Sequence, residues 1–121
     1  MSTEAPRSKV STASREVKRH AFLLKLRPGT ERAYDKLHQS VPPDLIALLK
    51  RAGISGYSIF RRDQLLFLTL TVVDFERAWQ TIEIDPAYKA WQKVMEPFFD
   101  TLSDLRPGER FPMMDEVFYL P

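Results

Sequence analysis

An α+β sandwich is the fold class that this 121-residue sequence predicts, and three observations point to it. Apolar residues alternate with a period of two in some stretches and recur at helical spacing in others. In chain order the stretches read strand, broken helix, strand, strand, broken helix, strand. Pro28-Gly29, Pro42-Pro43, Gly53 and Asp85-Pro86 punctuate them where turns and helix ends belong. The length allows one buried core and not two.

Lys18 to Arg27 alternates as a strand, with His20, Phe22, Leu24 and Leu26 on one face, and Pro28-Gly29 ends it. A helix follows from Thr30, whose hydroxyl can cap the first turn. Pro42-Pro43 interrupts it, because proline lacks an amide donor and restricts the residue before it. Asp44 to Ala52 resumes as a helix with Leu45, Ile46, Leu48 and Leu49 on its apolar side, and Gly53 stops it. Tyr57 to Arg61 and Leu65 to Val73 form two strands joined by a turn at Arg62-Asp63-Gln64. Phe75 to Ile82 is a short helix. Asp85-Pro86 starts another, with Asp as cap and proline at the first helical position, running to Phe99. Leu102 to Pro112 reads as a loop, and Met114 to Leu120 as the last strand. The order βαββαβ is that of a ferredoxin-like sandwich, an antiparallel sheet with helices on one face. The other face needs cover. A second copy packed sheet on sheet supplies it, so a homodimer forming a dimeric α+β barrel is expected.

Composition narrows the function classes. No apolar run approaches the roughly 20 residues that span a bilayer, and Met1 to Glu16 lacks the apolar region of a secretory signal. With no cysteine, disulfide, thiolate and cysteine–zinc chemistry are absent, and a cytoplasmic location is the default. The sequence pI near 9.0 invites a nucleic-acid reading. Yet residues 1–19 are net +3 and the chain +2, leaving −1 for residues 20–121. The basic balance sits in a tail (1–16, read as disordered) ahead of one domain (17–121). Neither nucleic acid nor membrane is the expected partner.

Tyr34 and His38 are the chemically suggestive pair. Four residues apart, they share one helix face, and His38 is one of only two histidines in the chain. Histidine alone exchanges a proton near neutrality without special tuning. Bland readings stand beside this one. A helix histidine is more often a surface or hydrogen-bonded residue, and Tyr34 alone would read as core. Tyr57 suits a strand for packing reasons. Trp91, at helical spacing with Tyr88 and Met95, reads as core, His20 as structural, and Arg61-Arg62-Asp63 as a solvated turn.

Five segments carry a resemblance: His20-Ala-Phe22, Tyr34-Asp-Lys-Leu-His38, Pro43-Asp-Leu45, Gly56-Tyr-Ser-Ile-Phe60 and Trp91-Gln-Lys-Val-Met95. Asp115-Glu-Val-Phe-Tyr-Leu-Pro121 closes the set. In that order and spacing, over residues 17–121, the chain resembles the L-rhamnose mutarotase family, small ferredoxin-like dimers that interconvert sugar anomers. The resemblance implies His38 as proton donor, Tyr34 and Tyr57 as sugar contacts, and Trp91 and Gln92 as a binding pair on the late helix. It implies a monosaccharide ligand and no metal, nucleotide or redox cofactor. Two positions depart from the pattern. Pro42 stands where many members have tryptophan, and Gln92 where some continue a double tryptophan. Both remove aromatic surface, so the sugar need not be rhamnose. Two other readings remain. One is a barrel protein of the same fold acting on an apolar substrate, monooxygenase- or cyclase-like, with Met95, Phe98 and Phe99 as pocket walls. The other is a sugar-binding homologue without turnover.

Overall fold

The structure, a computed structural model, describes residues 16–101 and 105–121. The tail expected over 1–16 lies outside them except for Glu16, as do the first three residues of the loop expected from Leu102. The elements are β1 (Lys18–Lys25), α1 (Glu31–Leu37), α2 (Pro43–Arg51), β2 (Ser55–Arg62), β3 (Leu65–Val72), α3 (Phe75–Glu83), α4 (Pro86–Met95) and β4 (Met113–Met114). The four strands form one antiparallel sheet in the order β2-β3-β1-β4, the ferredoxin-like arrangement. Phe22 and Leu26 of the first strand run, together with Leu66, Leu68, Leu70 and Val72 of β3, face the helices and are buried. Against them pack Leu45 and Leu48 of α2, Phe75, Ala78, Trp79 and Ile82 of α3, and Met95 of α4.

Local chemistry accounts for most boundaries. Gly53 ends α2 at φ +89°, a left-handed conformation that costs a residue without Cβ little. Asp63, at φ 52°, takes the same region in the β2–β3 turn. The Asp85 carboxylate accepts from the Ala87 amide at 2.9 Å and caps α4 as anticipated; Asp74 does the same for α3 through Arg77 at 3.1 Å. Thr30 does not cap α1. Its hydroxyl instead donates to the Arg27 carbonyl at 2.8 Å, which closes the turn after β1.

Two expected elements are shorter than their sequence pattern. The late helix ends at Met95 and continues as a 3-10 turn over Glu96–Phe98, because Pro97 cannot donate into the α ladder. The last strand holds ladder pairs only at Met113 and Met114, opposite Phe22 and Ala21. Side-chain pairing carries that register two residues further, since Arg19 and Glu116 form a two-bond ion pair at 2.8 and 2.9 Å. Just beyond it β1 comes to its end at Lys18, so Phe118 to Leu120 outrun β1, and Val117 to Leu120 lie exposed.

Candidate active site

Helix α1 is short because the chain behind it turns. Its last carbonyls receive Gln39 and Ser40 amides in a tight turn, after which Val41 and Pro42 lead to Pro43, the first residue of α2. His38 is the C-cap residue, and its imidazole folds back along its own helix. Nδ1 lies 2.8 Å from the Tyr34 carbonyl oxygen. A carbonyl has no proton to give, so Nδ1 carries the hydrogen and donates. Nε2 is then the nitrogen left to exchange a proton, and the ring's direction is held by its own backbone.

Two aromatic rings bracket that imidazole. The Tyr34 ring lies with its centroid 4.1 Å away, and Trp91 of α4 meets it edge to face at 5.2 Å. The three side chains line a cavity of about 750 Å³ between the helices and the inner face of the sheet. That size falls in the range of small-molecule sites. Tyr57 and Ile59 of β2, Leu68 of β3 and Met95 of α4 form much of its remaining wall. All five residues singled out from the sequence (Tyr34, His38, Tyr57, Trp91 and Gln92) line this one cavity, although they come from three separate elements.

The phenols are held neutral. Burial pushes the Tyr34 hydroxyl well above its ordinary value, with the Asp35 carboxylate adding to the rise. Burial raises Tyr57 likewise, and the neighbouring Tyr34 and Tyr88 phenols push it further. Tyr88 is raised by burial too. Three phenols therefore converge on the cavity as hydrogen-bond donors and relays, not as phenolate bases.

Several lining residues escaped the sequence reading. Arg61, read as part of a solvated turn, stays exposed and bonds the Asp63 carbonyl of that turn, but it also lines the cavity. It shares the inner face of β2 with Tyr57 and Ile59, a period-two relation visible in the sequence, and reaches the cavity edge. There its Nε and Nη2 donate to the two Asp35 carboxylate oxygens at 2.7 and 2.6 Å. The guanidinium holds the Asp35 carboxyl below the usual carboxylate range, with His38 a smaller contributor. Arg110, from the loop before β4, also lines the cavity and is gripped by both Glu83 and Glu76. Phe111 stacks on Phe22 with centroids 4.6 Å apart and meets Trp79 edge to face. No local signal marks these loop residues, because tertiary contacts alone bring them to the site. Of the residues proposed as walls for an apolar substrate, Met95 and Phe99 line the cavity and Phe98 does not. His20 packs on Phe75 outside the cavity, as its structural reading anticipated.

The sequence model of the L-rhamnose mutarotase family matches residues 19–120, nearly the whole domain. The chain belongs to that family. An L-rhamnose mutarotase from Escherichia coli O1:K1 / APEC is 30% identical over 105 residues, covering 85% of this chain and 98% of that protein. One from Sinorhizobium medicae is 33% identical over 93 residues, covering 75% and 88% respectively. A crystal structure of the L-rhamnose mutarotase from Formosa agariphila superimposes with a TM-score of 0.68 at 29% identity, covering 86% of this chain and 99% of that one. A conserved protein from Methanosarcina mazei, at 16% identity and a TM-score of 0.55, shares the fold alone. This mutarotase-family domain thus has the ferredoxin-like α+β architecture expected of it.

Proposed function

We propose that the protein is a cofactor-independent aldose mutarotase that interconverts the α and β anomers of L-rhamnose or a related 6-deoxyhexose. The observation that carries this reading is the His38 imidazole, tethered through Nδ1 and set between Tyr34 and Trp91 in the wall of a cavity with room for a sugar. Around it, polar groups interrupt apolar walls: three phenols, Gln92, Asp35 and Arg61. That mixture suits a polyol with one apolar face better than a wholly apolar substrate.

Ring opening needs one proton delivered to the ring oxygen and one removed from the anomeric hydroxyl. Protonated His38 gives its Nε2 proton to the ring oxygen. The anomeric hydroxyl surrenders its proton through a hydrogen bond to a phenol oxygen of Tyr34 or Tyr57 and on to solvent. The ring carbon–oxygen bond breaks, leaving an open-chain aldehyde. Rotation about C1–C2 and the reverse proton transfers, with His38 now the base, close the other anomer. Trp91 supplies an apolar platform for the C–H face and methyl group of a deoxy sugar, and Gln92 an amide for a hydroxyl. The barrier is low even in water, so ordinary acid–base catalysis of about 10²–10⁴-fold suffices.

The same proposal includes a homodimer in the cytoplasm. The sheet face away from the helices exposes Phe60 at 60%, Leu65 at 49% and Phe67 at 37%, and Val117 to Leu120 extend exposed past the paired residues of β4. Burial of both against a second copy would remove an open edge and an apolar surface together.

Magnetisation-transfer NMR tests the activity with L-rhamnose, L-fucose, D-glucose and D-galactose. Exchange should be accelerated for one sugar and fall by about 10²–10⁴-fold in His38→Ala. Failure to accelerate any of them, with correctly folded protein, would overturn the proposal.

A further inference from the structure

We infer that Asp35 and Arg61 form the hydroxyl-recognising edge of the cavity and set which sugar is accepted; the inference rests on the mutarotase reading. The pair joins α1 to β2 at the cavity rim, with side-chain exposures of 45% and 27%, so both groups are open to an entering ligand. Asp35 adjoins Tyr34 and precedes His38 by three residues, placing the carboxylate on the helix turn that carries the proton donor. Arg61 follows Tyr57 by four residues on the same face of β2.

The unused bonding capacity defines what the pair can hold. Arg61 spends three of its five N–H donors, two on Asp35 and one on the Asp63 carbonyl at 2.9 Å. Each Asp35 oxygen accepts one bond and keeps a lone pair. Two donors and two acceptors therefore remain side by side. A vicinal diol, in which each hydroxyl both gives and takes a hydrogen bond, matches that set. Since each cation is already neutralised by its partner, and Arg110 likewise by Glu83 and Glu76, the edge fits a neutral sugar better than a sugar acid or phosphate.

The alternative role is a structural pin between α1 and β2, and the sugar itself separates the two. Affinity would be read by saturation-transfer NMR and turnover by anomer exchange, using the parent sugar and its 2-, 3- and 4-deoxy analogues. Wild-type protein should bind two neighbouring deoxy analogues at least tenfold more weakly than the parent sugar. In Asp35→Asn and Arg61→Gln, parent affinity should fall about tenfold and those two penalties should disappear. Asp35→Arg combined with Arg61→Asp restores the ion pair with donors and acceptors exchanged, so it guards against simple misfolding. It should keep the melting temperature yet change the pattern across the analogues. An unchanged pattern in all three variants would show the pair to be a pin and overturn the inference alone. Absence of both exchange and saturation transfer in the wild type would overturn the mutarotase reading, and this inference with it.

Discussion

On the helix-covered face of the sheet, Leu66, Leu68, Leu70 and Val72 are at most 2% exposed, whereas their immediate neighbours Leu65 and Phe67, on the opposite face, remain 49% and 37% exposed. Over Leu65 to Leu68 both faces are apolar, so composition there does not distinguish them, although Thr69 and Thr71 make the outer face polar further along. Strand alternation does, because successive side chains point to opposite sides and only one side meets helices. The covered face has room for both a packed core and a cavity. Its core end gathers Phe22, Phe75, Trp79 and Phe111, whereas its β2 end brings phenols, His38 and the Asp35–Arg61 pair into the cavity wall. The uncovered face sets Phe60, Leu65 and Phe67 beside Arg62, Thr69 and Thr71, and it is the face that the proposed second copy would cover.

Substitutions on adjacent residues of β3 make this contrast measurable. Leu66→Ala removes a fully buried side chain and should lower unfolding free energy by about 2–5 kcal/mol in a denaturant titration. One position away, Phe67→Ser should leave the unfolding of the chain nearly unchanged but weaken the proposed self-association. Sedimentation velocity would then show a dimer dissociating at protein concentrations where the wild type stays paired. Equal losses of fold stability at the two positions would erase the distinction between the faces.

A smaller effect concerns His20, the inner-face residue whose ring packs on Phe75 with centroids 5.2 Å apart. Its buried Nε2 has no hydrogen-bond partner among the described residues. Burial, assisted by Lys18 and opposed by Asp74, lowers its pKa below the ordinary 6.5. The unfolded chain therefore takes up this proton first as pH falls. Stability from a neutral His20 is complete above about 6.5 and lost as pH drops through the lower folded value. His20→Leu should flatten that part of the stability-against-pH curve while leaving the catalysis proposed for His38 intact.

Carboxylates paired with the lining arginines follow the same sign at lower pH. Asp35 is depressed chiefly by its Arg61 bonds and Glu83 by its Arg110 bonds. Each adds stability above its unfolded value that is lost on acidification through its folded one. These groups are solvent-exposed, so salt should weaken the effect, and melting curves at low and high ionic strength near pH 4 would register the difference.

Much of this was legible before any fold was in view. Strand alternation at Phe22 and in β3, the Pro42-Pro43 break, Gly53 and the Asp85-Pro86 start are local rules, and they place every major element. The Tyr34–His38 pair needs only the pitch of a helix to share a face. Thr30 misled because its hydroxyl found the Arg27 carbonyl instead of a helix amide. The final strand was overextended because alternation records a strand's readiness to pair and cannot reveal where its neighbour ends.

Sequence alone thus determined the order of elements, the period of each, and a candidate proton donor with its aromatic companion. Only the tertiary structure decided that Trp91 meets His38, that Arg61 finds Asp35 across the α1–β2 seam, and that Arg110 and Phe111 return from a distant loop to the cavity. The physical reason is range. Helical and strand periodicity are set by backbone geometry over a few residues, whereas a site between helices and sheet is closed by contacts whose partners lie 26 or more positions apart.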